Sequence, residues 1–328
     1  MAPSFLYHPV QLSPAAALEL AQTAPAVLKS SPSSVSSSPL FSLVGGPEKS
    51  EQWIQFENLI LACLRTGDDQ AARKCLERLV SRFGADNERV QALDGLVKEA
   101  MANNNGELEA VLKEYERILS ENDTNIPIAK RRIALLRSMG RASDAASALV
   151  ELLDFSPTDA EAWSELSDIY LSQGLYPQAI YAMEEVLVLA PNAWNIHARL
   201  GELQYMAATA SGSAANGSHQ KHMAEAVKRF SRSIELCDDY LRGYYGLKLV
   251  TKTLLSGEDA KTPKQTDEGG FALPDRSTLE KLHELATAKL AEIVRRAAAK
   301  ERGWRGYAEA DVAAARELLA QDTSAVQR

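Results

Sequence analysis

Apolar residues recur at spacings of three and four from Glu48 almost to the end of the chain, with glycine and proline at intervals. This spacing places the apolar side chains along one face of a helix, and the alternation of polar and apolar residues that is typical of strands is absent. The pattern therefore predicts an all-α protein.

The residues before this region have a different composition. Residues 1–29 predict an N-terminal segment with one short helix over 13–29, which begins after Pro14 and which Pro25 breaks or ends. Residues 30–48 are rich in serine and proline, a composition that cannot bury a core. They therefore predict a flexible linker.

The helical pattern repeats with a period of thirty-four residues, most clearly over Ala160–Ala193. One apolar stripe predicts a first helix that a glycine ends, and a second stripe predicts a second helix that a proline closes. The residues at these positions are Trp163, Leu166, Tyr170, Gly174, Ala179, Met183 and Pro191. Their spacing resembles the tetratricopeptide repeat (TPR), except at positions 8 and 27, where this chain has Ser167 and Val186.

Comparable helical pairs precede and follow this repeat, over Trp53–Asp86, Glu88–Asn125 and Ile126–Asp159 and again from Trp194 and from Leu241. The pair that begins at Trp194 has thirteen extra residues, which predict an exposed loop over 207–222. The resemblance implies a right-handed TPR solenoid of about five to six helical pairs over 49–255, because each pair needs a neighbour to cover its apolar face. After a polar loop over 256–277, helices over 278–328 are expected to cap the solenoid.

The charge balance excludes one broad class of partner. Lysine and arginine number 36 against 44 aspartates and glutamates, which gives a formal net charge of -8. Nucleic-acid binding draws on clustered basic residues, so we expect no nucleic-acid partner. No stretch contains the roughly 20 apolar residues that cross a bilayer, so we also expect no direct membrane span. The cysteines, Cys63, Cys75 and Cys237, form no C-x-x-C pair and are expected to be reduced thiols.

No combination of residues predicts catalysis, a cofactor or a metal site. The chain has no glycine-rich phosphate-binding motif, and adjacent carboxylates such as Glu184 and Glu185 point in different directions on a helix. His219 and His222 are three residues apart, but no cysteine or third histidine accompanies them. We therefore expect a protein that is not an enzyme and that holds no cofactor.

The candidate site is instead a surface. In TPR arrays, positions 2, 5, 6, 9 and 12 of each first helix form the concave face, which here gives Lys130, Arg131, Glu161, Ser164, Glu165, Asp168, Asn195, Arg199 and Glu202. TPR proteins that clasp the carboxyl tail of chaperones place lysines, asparagines and an arginine on this face. The acidic residues of the repeat at Ala160 disfavour such a ligand. We expect the concave face to bind partner segments, and reversal of charge at Glu165 and Asp168 together to weaken assembly.

Several stretches carry a more specific resemblance, including FENLILACLRTGDDQAARKCLERLVSRFG, EYERILSENDTN, AKRRIALLRSMGR and the whole repeat at Ala160. Over about Trp53–Leu249 the chain closely resembles the family of the second subunit of the endoplasmic reticulum (ER) membrane protein complex. The resemblance is much weaker before Trp53, in the loops and after Ser256.

This resemblance implies a non-catalytic cytosolic scaffold subunit of that complex, which supports insertion of tail-anchored and multipass proteins into the ER membrane. The implied partners are the other subunits, especially cytosolic segments of the membrane-embedded ones. The implied location is the cytoplasmic face of the ER membrane, reached peripherally through those partners. The alternative is a free cytosolic TPR adaptor or co-chaperone that binds short peptide segments.

Overall fold

The computed structural model describes residues 13–30, 50–210, 218–256, 273–300 and 307–326. All regular secondary structure in these ranges is helical, which confirms the all-α fold. The chain forms two compact units, the first ending at Phe155 and the second beginning at Ser156.

The helices follow one another in the pairs that the repeat predicts. The first unit contains α1 (Pro14–Gln22), α2 (Ala24–Ser30), α3 (Ser50–Thr66), α4 (Asp69–Phe83), α5 (Glu88–Met101), α6 (Asn105–Glu121), α7 (Ile126–Ser138) and α8 (Ala142–Phe155). The second contains α9 (Ala160–Ser172), α10 (Tyr176–Leu189), α11 (Trp194–Thr209), α12 (Ser218–Leu236), α13 (Leu241–Ser256), α14 (Arg276–Ala299) and α15 (Glu309–Val326).

The turns inside three of the helical pairs, α3–α4, α7–α8 and α9–α10, depend on glycine at repeat position 15. Gly67, Gly140 and Gly174 have φ angles of 80°, 76° and 73°. These angles lie in the left-handed region, which a Cβ atom disfavours, so each first helix stops there and the chain reverses. The first helices α5, α7 and α9 start at polar caps, as where the Asp159 carboxylate accepts a hydrogen bond from the Ala162 N–H at 3.1 Å.

Small residues bring α9 and α10 together. Ala179 is fully buried, and its carbonyl oxygen accepts a hydrogen bond from the Ser167 hydroxyl at 2.7 Å. Leu166 and Met183 are also buried in this unit. Ser167 is therefore a small side chain whose only polar atom is satisfied across the contact, which explains why serine fits at a buried repeat position.

In two consecutive pairs, repeat position 4 holds different residues that make the same hydrogen bond. The Trp163 Nε1–H donates to the Pro157 carbonyl at 2.9 Å, and thirty-four residues later His197 Nε2 lies 3.0 Å from the Pro191 carbonyl. A carbonyl oxygen only accepts, so Nε2 of His197 carries the proton. The His197 ring thus takes the place of the Trp163 indole as the donor that links a first helix to the carbonyl of the proline before it.

Two connections differ from the sequence prediction. The loop expected over 207–222 is partly helical, because α11 continues to Thr209 and α12 already begins at Ser218. Ala207 and Ala208 are buried, as is Met223, so the inserted residues lengthen both helices and add to the core. The middle of the predicted loop, 211–217, lies outside the described residues.

The N-terminal helix is also divided differently. It begins at Pro14 as expected, but the break falls at Thr23 and Pro25 lies in the first turn of α2. Proline fits there because the first N–H groups of a helix have no partner within it. The predicted linker over 30–48 lies almost wholly outside the described residues, as does most of the polar loop over 256–277.

The second unit closes on a core shared by α12, α13, α14 and α15. The Phe230 ring packs so tightly on Gly246 that a Cβ atom there would lie 2.1 Å from it. From α15, Val312, Ala315 and Leu318 are buried in the same cluster, so this helix covers the end of the unit as a cap.

Replacement of Ala179 by leucine tests the repeat register. The larger side chain has no space between α9 and α10, so we expect Ala179→Leu to lower the free energy of unfolding by about 1–3 kcal/mol. Urea unfolding followed by circular dichroism measures the change. Gln178→Leu, at the exposed neighbouring position, is the control and should leave stability nearly unchanged. Equal stability of the two variants would contradict the register.

His197 predicts a loss of stability in mild acid. Burial lowers the pKa of its ring, and the positive charges of Arg229 and Arg232 lower it further. The hydrogen bond to the Pro191 carbonyl raises the pKa, but the net shift is downward. The folded chain therefore binds this proton less readily than the unfolded chain, and the free energy of unfolding should fall as the pH drops through about 6.5. Urea unfolding on either side of that pH measures the fall. The fall in the free energy of unfolding should be smaller in His197→Gln. An equal fall in that variant would refute the assignment of the pH dependence to His197.

Candidate functional site

In the second unit, the predicted concave residues come together around Arg199. Its guanidinium lies 2.9 Å from the Asp168 carboxylate of α9 and 2.7 Å from the Glu202 carboxylate one turn further along α11. Burial lowers the pKa of Arg199, but the two carboxylates outweigh it and raise the pKa above its ordinary value. The charges of this surface are therefore largely paired with one another before any partner binds.

A cavity of about 500 Å³ lies beside this ion-pair cluster, between α11, α13 and α15. We call it the tyrosine cavity, after Tyr205, Tyr240 and Tyr245 in its wall. Asn195, Arg199 and Glu202 also line it, so three of the predicted residues belong to one concave site. Met206 and Leu249 add apolar surface. Such a cavity suits the apolar and aromatic side chains of a peptide segment, with charged groups at its edge.

Arg242 and Asp311 bring opposite charges to the same cavity. The Arg242 guanidinium on α13 lies 3.4 Å from the Asp311 carboxylate on α15. The capping helix thus supplies part of the wall, and its position bears directly on the shape of the cavity.

Some residues of the tyrosine cavity were missed by the sequence prediction. Arg242, Tyr245 and Leu249 occupy positions 2, 5 and 9 of the pair that begins at Leu241. The positional rule used for the preceding repeats finds them when it is extended by one pair. No such signal exists for Asp311, because α15 lies outside the repeat.

In the first unit, Arg131 has a structural partner. Its Nε donates to the Glu99 carboxylate of α5 at 3.1 Å, and Nη2 also contacts that carboxylate. The Tyr115 hydroxyl donates to the same group, and burial followed by the Glu99 charge raises the pKa of Tyr115 well above its ordinary range. The Glu99 carboxylate therefore links α5 to α6 through Tyr115 and to α7 through Arg131. The charge of Arg131 is thus paired inside the fold, and its contact with a partner stays a prediction. Lys130 beside it is half-buried.

The remaining predicted residues lie on α9. Glu161 and Asp168 are exposed, whereas Ser164 and Glu165 are half-buried. Since Asp168 already pairs with Arg199, reversal of its charge would also break a contact inside the unit. Substitution of uncharged cavity residues is therefore a cleaner probe of partner binding.

The histidines of α12 act within the fold. His219 Nδ1 lies 2.9 Å from the Ala208 carbonyl, and His222 Nδ1 lies 2.6 Å from the Gln204 carboxamide, so both link α12 to α11. Across the described ranges, no group of three or more histidine, cysteine, aspartate or glutamate side chains is arranged to hold a metal ion. None of the described helices is long and apolar enough to cross a membrane.

Known proteins match this chain over most of its length. TPR repeat protein oca3 of Schizosaccharomyces pombe is 33% identical over 248 residues, which cover 74% of this chain and 83% of that protein. ER membrane protein complex subunit 2-A of Xenopus laevis is 30% identical over 71% of this chain and 74% of its own length. The subunit 2 of Saccharomyces cerevisiae is 26% identical over 60% of this chain and 68% of its own length.

Solved structures are more distant. A structure of Pseudomonas aeruginosa pilF covers 74% of this chain and 90% of its own, with a TM-score of 0.46 and 14% identity. A MamA structure covers 63% of this chain and 94% of its own, with a TM-score of 0.43 and 16% identity. These values are too low to carry a functional argument.

A family model supplies the more specific match. The EMC2 TPR-like repeat domain matches residues 82–217, which include the repeat at Ala160, the pair before it and the first helix of the pair after it. Together with the identity and coverage of the curated relatives, this match establishes that the chain belongs to the family of ER membrane protein complex subunit 2.

Proposed function

We propose that the chain is a non-catalytic scaffold subunit of the ER membrane protein complex and that it supports insertion of tail-anchored and multipass proteins into the ER membrane. The observation that carries the proposal is family membership, since relatives that match more than two thirds of the chain bear the name of that subunit. The TPR-type helical pairs support it, because such repeats bind other proteins on extended surfaces.

The tyrosine cavity is the proposed contact for cytosolic segments of membrane-embedded subunits. Aromatic side chains with paired charges beside them are typical of the centre of a protein interface. Tyr205 is held in place by a hydrogen bond of 3.2 Å between its hydroxyl and that of Thr253, so part of the wall is rigid before binding. A rigid wall lowers the entropy cost of binding.

The proposed location is the cytoplasmic face of the ER membrane, reached through these partners. A subunit held in this way sediments with membranes and is released when its partners are removed. A free cytosolic adaptor, the alternative function, stays in the soluble fraction.

Purification of the tagged chain from isolated membranes in mild detergent tests the proposal. We expect several multipass proteins in near-equimolar amounts, identified by mass spectrometry. Recovery of chaperones alone from the soluble fraction would contradict the scaffold role and favour the adaptor.

Tyr245→Ala tests the tyrosine cavity itself. Loss of an aromatic side chain at an interface centre typically costs 2 kcal/mol or more of binding free energy, about thirtyfold in affinity, so recovery of the multipass proteins should fall sharply. The matched control is Tyr181→Ala, since Tyr181 is 57% exposed on α10 and does not line the cavity. Equal recovery with both variants would place the contact elsewhere. Circular dichroism of each purified variant establishes that the chain is folded.

A further inference from the structure

A second groove lies in the first unit, and none of the predicted site residues lines it. It has a volume of about 510 Å³ and runs between α6, α7 and α8. Leu152 and Ala129 are buried at its base, and Phe155 stands at its edge with 47% of its surface exposed. A large aromatic side chain that is half exposed beside an apolar base is a surface that a partner can cover.

The charges around this groove are predominantly negative. Glu116 and Asp123 lie on the α6 side, and Glu151 and Asp154 lie on α8. The one basic side chain in the lining is Arg132, whose guanidinium lies 2.7 Å from Glu151. The lining thus has four carboxylates and one guanidinium, which pairs with Glu151. We call this surface the acidic groove.

Two of the four carboxylates, Asp123 and Asp154, form no ion pair in the described part of the chain. Both are exposed, whereas Glu116 interacts electrostatically with Arg141. This contrasts with Arg141 on the same unit, which pairs with Asp144 at 2.6 Å and Glu109 at 3.5 Å. The negative charge of the acidic groove is therefore available to a partner.

Charge decides which class of partner fits. Nucleic acids and anionic lipid surfaces carry negative charge and are repelled by unpaired carboxylates. A segment with lysine or arginine beside an apolar side chain matches both features of the groove, since the basic groups pair with the carboxylates and the apolar one covers Phe155. Cytosolic segments that flank transmembrane helices have this composition, because lysine and arginine are enriched on that side of the membrane.

We infer that the acidic groove binds a lysine- or arginine-rich cytosolic segment that flanks a transmembrane helix of a membrane protein. The inference rests on the proposed function, which places the chain where such segments occur. It assigns to the first unit a binding surface separate from the tyrosine cavity. Electrostatic attraction brings the basic segment to the groove, and contact with Phe155 adds selectivity for segments with an apolar residue.

A peptide titration with the purified full chain tests the inference. The probe is a fluorescently labelled peptide in which lysines surround a short run of leucines, and a matched peptide has glutamates in place of the lysines. Fluorescence anisotropy should show binding of the basic peptide, weaker at higher salt, and no binding of the acidic one. Because the titration does not involve the membrane complex, its outcome is independent of whether the chain co-purifies with multipass proteins.

Variants locate the binding. Asp123→Asn with Asp154→Asn should weaken binding of the basic peptide by about three- to tenfold, since each lost pair at an exposed position contributes modestly. Glu19→Gln with Asp86→Asn removes the same charge at exposed sites outside the groove and should change the affinity less than about twofold. Phe155→Ala should weaken binding further, whereas Val150→Ala, at an exposed position of α8 that does not line the groove, should not.

Three results would overturn the inference: absence of binding by the basic peptide, equal binding of both peptides, or equal loss in the groove variants and their controls. The last of these would show attraction to the overall negative charge of the chain rather than to this groove. Circular dichroism of every variant separates loss of binding from loss of fold.

Discussion

Each helical pair of this chain has an apolar face that it cannot bury alone, and the rest of the structure depends on this constraint. In the second unit, Ala179 and Met183 of one pair share a core with Leu200 and Leu203 of the next. Close approach of the backbones needs small residues at the contact, and three of the pairs reverse the chain at a glycine with positive φ. After α13 and α14, apolar side chains of α15 cover the surface that this pair leaves open.

Polar side chains inside this core are tolerated because each has a specific partner. Ser167 donates to the Ala179 carbonyl, and His197 donates to the Pro191 carbonyl. Lys248 is fully buried between α13 and α14, where its ammonium lies 2.7 Å from the Thr287 hydroxyl and 3.4 Å from His283 Nε2. Such bonds fix how two helices meet, because a shift along the helix axis would leave a buried polar group without its partner.

The repeat could be predicted from sequence because its determinants are local. Apolar spacing, a glycine at position 15 and a proline after the second helix all lie within thirty-four residues, and the helices at Ala160 and Tyr176 begin where these signals indicate. The insertion between α11 and α12 shows what a count of extra residues alone cannot predict. Thirteen extra residues predict a loop, but the apolar spacing of Ala207, Ala208 and Met223 continues the helical stripes, and burial of those side chains favours longer helices over a longer connection.

Site residues were harder to predict because their role depends on partners that are distant in sequence. Arg131 has the position of a concave-face residue, yet Glu99 lies thirty-two residues before it and neutralises it. The rule based on repeat positions finds Asn195, Arg199 and Glu202 because these follow the helix geometry. It cannot find Asp311, which belongs to the cap, or Asp123, which follows the end of α6.

The two candidate surfaces differ in how their charges are satisfied, and this difference separates their roles. Around the tyrosine cavity, Arg199 is neutralised by Asp168 and Glu202 within the fold, so a partner gains little from charge and must fit the aromatic wall. In the acidic groove, Asp123 and Asp154 have no described counter-ion, so attraction extends over roughly 8 Å at physiological salt and depends less on exact shape. The first arrangement suits a permanent partner of defined sequence, and the second suits segments that share a charge pattern and differ in sequence.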